Sequence, residues 1–177
     1  MTTPTESPSE RSLLSTIGRI SALLNGRGAL TAGDCAELRR MDPRCPGPAF
    51  FKLEGTVLHA ELPPEEVALK DHETRWAAVI VGLAHLQELH RRGARLGIAL
   101  AEAGYSESRF SKLLRADADQ LVDELPSLAR YLAAKGVPVD WSSAAQLVLS
   151  AGQERHENAR RHLARDYFGT LARHADR

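Results

Sequence analysis

Apolar positions along this chain recur at intervals of three and four, the spacing of one face of an α-helix. Leu13, Leu14, Ile17, Ile20, Leu23 and Leu24 set out a first helix. Ser7 followed by Pro8 reads as its N-cap and first-turn proline, and Asn25-Gly26 as its close. Thr31 with Asp34 resembles a capping box for a second helix that ends near Met41. The turn-rich DPRCPGP, residues 42–48, leads to a short helix over 49–53. Residues 54–64 read as a loop, with room for a turn of extended chain. Trp76, Val79, Ile80, Leu83, Leu86 and Leu89 give a long helix over 65–92 one broad apolar face. Arg91-Arg92-Gly93 closes it, with cations at the negative end of the dipole and glycine as C-cap.

Beyond Gly93 the pattern predicts five shorter helices, over 95–103, 106–116, 118–134, 140–151 and 153–174. Gly104, Gly136 and Gly152 mark three of the breaks. Asp140 stands where it would cap the fourth of these helices, and Pro126 where it would kink or split the third. No segment alternates in the manner of a strand, and no repeat of 20–50 residues is visible. The expectation is an all-α chain. Residues 1–8, rich in Thr, Ser and Pro, form a disordered start; 9–93 form an N-terminal helical part; 94–177 form a small C-terminal helix bundle.

Composition bears on the class rather than the pattern. With 177 residues, 43% of them apolar, the chain can bury a core and global disorder is excluded. No apolar run approaches the ~18 residues of a membrane span. The opening MTTPTESPSERS lacks the basic-then-apolar order of a secretory signal, so a cytoplasmic protein is expected. Cys35 and Cys45 fit neither a zinc ribbon nor a redox pair and are expected to be reduced thiols.

Net charge is zero, yet the charges are segregated. Residues 54–73 hold six acids and one Lys, residues 75–115 seven bases and three acids, and residues 117–124 four acids and no base. Such alternation can give a neutral protein one basic and one acidic surface. Of 23 basic residues, 19 are Arg, the side chain that grips phosphate with a rigid fork. GC-rich coding produces the same bias, so only the placement of the arginines can distinguish the two causes.

Catalytic and metal chemistry find little support. His85 and His90 are five apart and His156 and His162 six apart, neither spacing bringing two imidazoles together on a helix. His72-Glu73 and His156-Glu157 begin like a zinc-protease motif whose second His is absent. There is no nucleophile elbow, no phosphate-binding glycine loop and no dinucleotide fingerprint. Glu65-Glu66 and Asp123-Glu124 sit in polar runs typical of a solvated face. The expectation is a non-enzyme without metal or cofactor.

The arginines carry more signal. At 100° per residue, Arg155, Arg161, Arg165 and Arg173 project to one side of the last helix, and Ala159, Leu163, Tyr167 and Leu171 to the other. An ordinary amphipathic surface helix gives the same pattern. Arg39 and Arg40 end the second helix, where Arg39 could equally cap the helix end. Arg109, Lys112 and Arg115 lie at i, i+3 and i+6, although Arg115 could pair with Asp117 or Asp119. Aromatics make up only 5%, and Trp76, Phe110, Trp141 and Phe168 fall on predicted core faces. Binding should therefore address phosphate and shape, with little base readout. Arg95 to Leu114 also resembles a helix-turn-helix, which would read bases with Ser106, Ser108, Arg109 and Lys112; a two-helix core corner, or an adaptor without nucleic acid, fits as well.

The run LGIALAEAGYSESRFSKLLRAD, residues 96–117, is similar to the hallmark segment of the CasB family. Asp34 to Arg40 resembles that family's arginine-pair helix, and Pro48-Ala49-Phe50-Phe51 its next apolar turn. Val139-Asp140-Trp141 and Arg160 to Phe168 resemble its closing elements; Ser150-Ala151 departs from it, since members often carry Trp before the glycine matching Gly152. The resemblance implies an all-α, non-catalytic small subunit of the type I-E CRISPR surveillance complex Cascade. It implies contacts with the other subunits, association of two copies, and help in holding DNA opened by the guide RNA. Arg39, Arg40, Arg109, Lys112, Arg115, Arg155, Arg161 and Arg165 are the residues expected to hold nucleic-acid backbone.

Overall fold

The computed structural model describes residues 8–59, 61–62 and 66–175. The Ser7 cap and, apart from Pro8, the disordered start expected of residues 1–8 lie outside them; Pro8 opens the first helix. The helices are α1 (Pro8–Leu24), α2 (Ala32–Arg40), α3 (Pro48–Leu53), α4 (Glu66–Leu86), α5 (Leu96–Glu102), α6 (Glu107–Arg115), α7 (Ala118–Lys135), α8 (Ser142–Leu149) and α9 (Glu154–Ala175). The fold is all-α. Among the described residues the only β feature is a single parallel bridge between His90 and Val139.

α4 is the axle of the fold. It packs on α7, α2, α8 and α1. Every residue from Trp76 to Ala84 other than Gly82 is among its buried apolar side chains. The single apolar face expected of this helix is thus in fact a belt, because neighbours cover it on several sides. Gly82 permits the closest of these approaches. A Cβ there would lie 2.3 Å from Cζ2 of Trp141. The Trp141 ring is fully buried against α4, and its Nε1 donates to the Val79 carbonyl at 3.0 Å.

Local signals explain most boundaries. The Thr31–Asp34 capping box forms in both directions. A second, Asp117–Gln120, opens α7, and Gly136 closes it in the left-handed region at φ 65°. α7 continues unbroken through Pro126, which is buried. Asp140 accepts hydrogen bonds from the Ser142 backbone N–H and hydroxyl, and through its other oxygen from Gly93 N at 2.7 Å. Asp140 thus sits one residue before the N-cap of α8, which is Trp141 and not Asp140 as its position suggested. It ties the stretch after α4 to the α7–α8 junction; α4 itself ends at Leu86, followed by a 3-10 turn over Gln87–Leu89, rather than running on to Gly93.

Residues 54–58 correct the loop expectation. They continue α3 as a π-helical turn, Glu54–Leu58, with Val57 and Leu58 buried. Thr56 Oγ1 bonds the Lys52 carbonyl at 2.8 Å, and the apolar pair draws the backbone inward. Gly55 and Pro63-Pro64, both turn signals, hid that pair.

Four histidines give the fold a pH dependence. His72, His85, His90 and His156 all have pKa values below the usual imidazole value, burial being the main cause in each. His90 Nδ1 accepts the Trp141 backbone N–H at 3.2 Å, which requires an unprotonated nitrogen. Such groups bind a proton more readily once the chain is unfolded. Their stabilisation is complete above the unfolded value of about 6.5 and declines as pH falls below it. Asp34 is pulled down to about 2 by hydrogen bonds from Lys52 and Thr31, so its contribution is lost only in stronger acid. The urea midpoint should therefore be lower at pH 5.5 than at 7.5. A midpoint that does not move over that range would contradict the assignment.

Candidate nucleic-acid interface

α6 is built to present cations. Ser106 caps it, its Oγ accepting from Arg109 N at 3.5 Å. Phe110 and Leu113 face the core, which leaves Arg109, Lys112 and Arg115 exposed. α7 turns Leu121, Leu125, Leu128 and Leu132 inward. Its polar edge then faces α6, and an open groove of ≈ 450 Å³ lies between them. Arg109, Lys112 and Arg130 line the groove, along with Tyr105 and Tyr131 and the single acid Glu124. Lys112 Nζ is 2.8 Å from Glu124. Arg109 has no ion-pair partner among the described residues. The tyrosines are fixed walls: the rings meet edge to face at 5.2 Å, and the Tyr131 hydroxyl donates to the Ala103 carbonyl at 2.8 Å. Lys135 adds a further cation 5.8 Å from the Tyr131 ring.

Arg130 was not foreseen. In sequence it stands without a basic neighbour, and only the α6–α7 corner brings it beside Arg109 and Lys112. The stripe Glu124, Ser127, Arg130, Tyr131, at helical spacing, was the available signal. Near the groove lies His85, whose pKa is depressed by burial and then by the charges of Arg130 and Arg39. Arg39 is half-buried, and its Nε donates to the Ala84 carbonyl at 3.0 Å, on α4 rather than at its own helix end. Arg40 is exposed and bonds the Ala36 carbonyl.

The other candidates lie elsewhere. Arg115 bonds the Ser111 carbonyl at 3.2 Å. No ion pair joins it to Asp117 or Asp119 among the described residues, and Asp117 is engaged as the α7 cap. On α9, Leu163 and Tyr167 are buried and Ala159 and Leu171 pack partly against the core, while Arg161 and Arg165 are exposed. Neither has an ion-pair partner among the described residues. Arg155 bonds Gln153 Oε1 at 2.7 Å and lines a different cleft, of ≈ 420 Å³, with His72, Trp76 and His162. The eight candidates thus do not share one groove. Arg109 and Lys112 do, and the charges of Arg39 and Arg130 both act on His85.

Several arginines have plain structural work. Arg75 donates to the carbonyls of Val148 and Ala151 beyond the middle of α8 and pairs with Asp71 at 2.7 Å. Arg160 donates to the Ala116 carbonyl at the end of α6, 2.7 Å away. Guanidinium groups suit such sites because helix C-termini carry unsatisfied carbonyls and partial negative charge. Arg44 pairs with Asp123, and Arg95 with Asp166 at 2.8 Å. Part of the arginine excess is accounted for by the fold itself.

One core assignment is overturned. Trp76, Phe110 and Trp141 are buried, but Phe168 is 42% exposed. Helical phase places Phe168 about 100° from Tyr167, which takes the core position. Among the described residues, no group of three or more His, Cys, Asp or Glu side chains could hold a metal ion. No described helix is long and apolar enough to cross a membrane.

The family model described as CRISPR-associated protein Cse2 matches residues 34–168. Among solved structures, the crystal structure of M. ruber CasB is similar, with a TM-score of 0.65 and 19% sequence identity. The match covers 97% of this chain and 98% of that one, and at this identity it speaks to the fold. A search of the curated proteins finds no match.

Proposed function

The chain belongs to the CRISPR-associated Cse2 family, known also as CasB, and on that premise we propose that it is a non-catalytic small subunit of a type I-E Cascade complex that holds nucleic-acid backbone without reading its sequence. Its partners in this reading are the guide-RNA ribonucleoprotein, the other Cascade subunits, a second copy of itself and the displaced strand of target DNA, in the cytoplasm. The observation that carries it is the α6–α7 groove, where Arg109, Lys112 and Arg130 outnumber Glu124. A displaced strand can have any sequence, so its holder must ignore bases. Exchange of a DNA duplex for a guide–target duplex is nearly balanced in energy, so a few contacts to phosphate can tip it. Arg40, Arg115, Arg161 and Arg165, all exposed, extend the cationic surface in this reading; Arg39 and Arg155 contribute from partly engaged positions.

Single-stranded DNA binding tests it through salt. The slope of log K against log salt is about −0.7 per phosphate neutralised. Replacing Arg109, Lys112 and Arg130 together by Ala should make the slope shallower by roughly 1.5, since Lys112 is already partly neutralised by Glu124. Affinity should fall roughly 10- to 100-fold, equally for shuffled sequences. An unchanged slope would remove the groove from the binding surface, and a loss confined to one sequence would favour a base-reading regulator.

A further inference from the structure

We propose that Phe168 is a base-stacking residue, receiving one unpaired nucleobase of a single strand whose phosphates lie on Arg165 and Arg161. The idea rests on the proposed polynucleotide partner and adds a contact to the base, which the composition had argued against. Among the described residues Phe168 is one of two large apolar side chains that are exposed, the other being Phe51. Its ring is held rather than loose. Phe110 and Tyr167 stack on one another at 3.8 Å and 11°, and Phe168 stands nearly perpendicular to both, at 5.6 Å and 85° from the first and 5.2 Å and 86° from the second. A ring fixed against a rigid pair has little freedom to lose when a base lands on it.

Its surroundings select the occupant. Arg165 precedes it by three residues and Arg161 by seven, so both fall on its flank of α9. Two acids of that helix are already engaged, Asp166 with Arg95 at 2.8 Å and Glu157 with Arg160 at 3.3 Å. Burial, and then the charge of Glu107 on α6, hold up the pKa of the Tyr167 hydroxyl, which donates to the Tyr105 carbonyl. An apolar protein surface docking on Phe168 would have to strip water from two guanidinium groups that have no ion-pair partner among the described residues, at high cost. A single strand offers a π-face and phosphates together, and every base has that face, so the contact is sequence-tolerant.

The test uses the full chain at low salt and two oligonucleotides of equal length, oligothymidylate and an abasic strand carrying the same phosphates. The wild type should prefer the base-bearing strand by roughly 10-fold. Phe168→Leu, which keeps an apolar side chain but no π-face, should erase that preference without changing the salt slope; Phe168→Trp should keep it. Replacing Arg161 and Arg165 by Ala should weaken both strands alike. Equal binding of both strands by the wild type, or a preference that survives Phe168→Leu, would overturn the stacking site while leaving the backbone reading intact. Failure to bind either strand would overturn both.

Discussion

Trp141→Ala should lower the unfolding free energy by about 3–5 kcal/mol, measured by urea denaturation followed by circular dichroism. The ring is fully buried, between the start of α8 and the backbone of α4 at Gly82. Its removal opens a cavity at the junction where Asp140, Gly93 and His90 join the two ends of the chain's core. A domain of this kind has about 5–15 kcal/mol in all, so the variant is expected to be marginal. Trp141→Phe separates the packing from the hydrogen bond. It retains most of the apolar contact and leaves the Val79 carbonyl with its helical partner, so it should cost less than half as much. Equal losses in the two variants would show that the indole N–H, rather than the volume, governs the site.

Gly97→Ala should cost about 3 kcal/mol and lower the melting temperature by about 6–12 °C. Glycine here owes nothing to a left-handed backbone. A Cβ at this position would sit 2.5 Å from the Leu163 carbonyl oxygen, 2.7 Å from Asp166 Cβ and 2.9 Å from Tyr167 N. Two of these are backbone atoms, so α9 itself must move away from α5. The displacement would strain the Arg95–Asp166 pair and the bond from the Tyr167 hydroxyl to the Tyr105 carbonyl. Gly169→Ala is the control. It lies on α9 with nothing within 4 Å of the added carbon, and should be neutral or stabilising by about 0.5–1 kcal/mol through helix propensity. Scanning calorimetry on the pair decides the matter. If Gly97→Ala melts with the wild type, the close α5–α9 contact is not as described.

Both positions show how unevenly structure is written along the chain. Trp141 was readable as core from the apolar face it falls on, although Asp140 before it is not the N-cap its position suggested. Gly97 was not readable, because nothing local distinguishes a glycine needed for a close approach from one that merely sits in a short helix. The same holds for the cations. That α6 would expose Arg109, Lys112 and Arg115 followed from burying Phe110 and Leu113. That Arg130 would join the first two depended on how α7 folds back. Arg39 looked like a helix-end cation, yet it reaches a carbonyl 45 residues away. Phe168 was placed on a core face, but Tyr167 beside it takes that position, about 100° away on the helix.

The sequence by itself determined the all-α class, the succession of helices, the two-way cap at Thr31–Asp34, the breaks at Gly104, Gly136 and Gly152 and most of the buried side chains. Those features depend on periodicity and on contacts between residues a few positions apart, which linear order records. Only the tertiary structure decided which arginines serve the fold and which face solvent, which of them share a groove, and that the Phe168 ring is left in the open. Those outcomes depend on helices distant in sequence meeting at particular angles, and a guanidinium takes whichever carbonyl, carboxylate or water the packing puts within its reach.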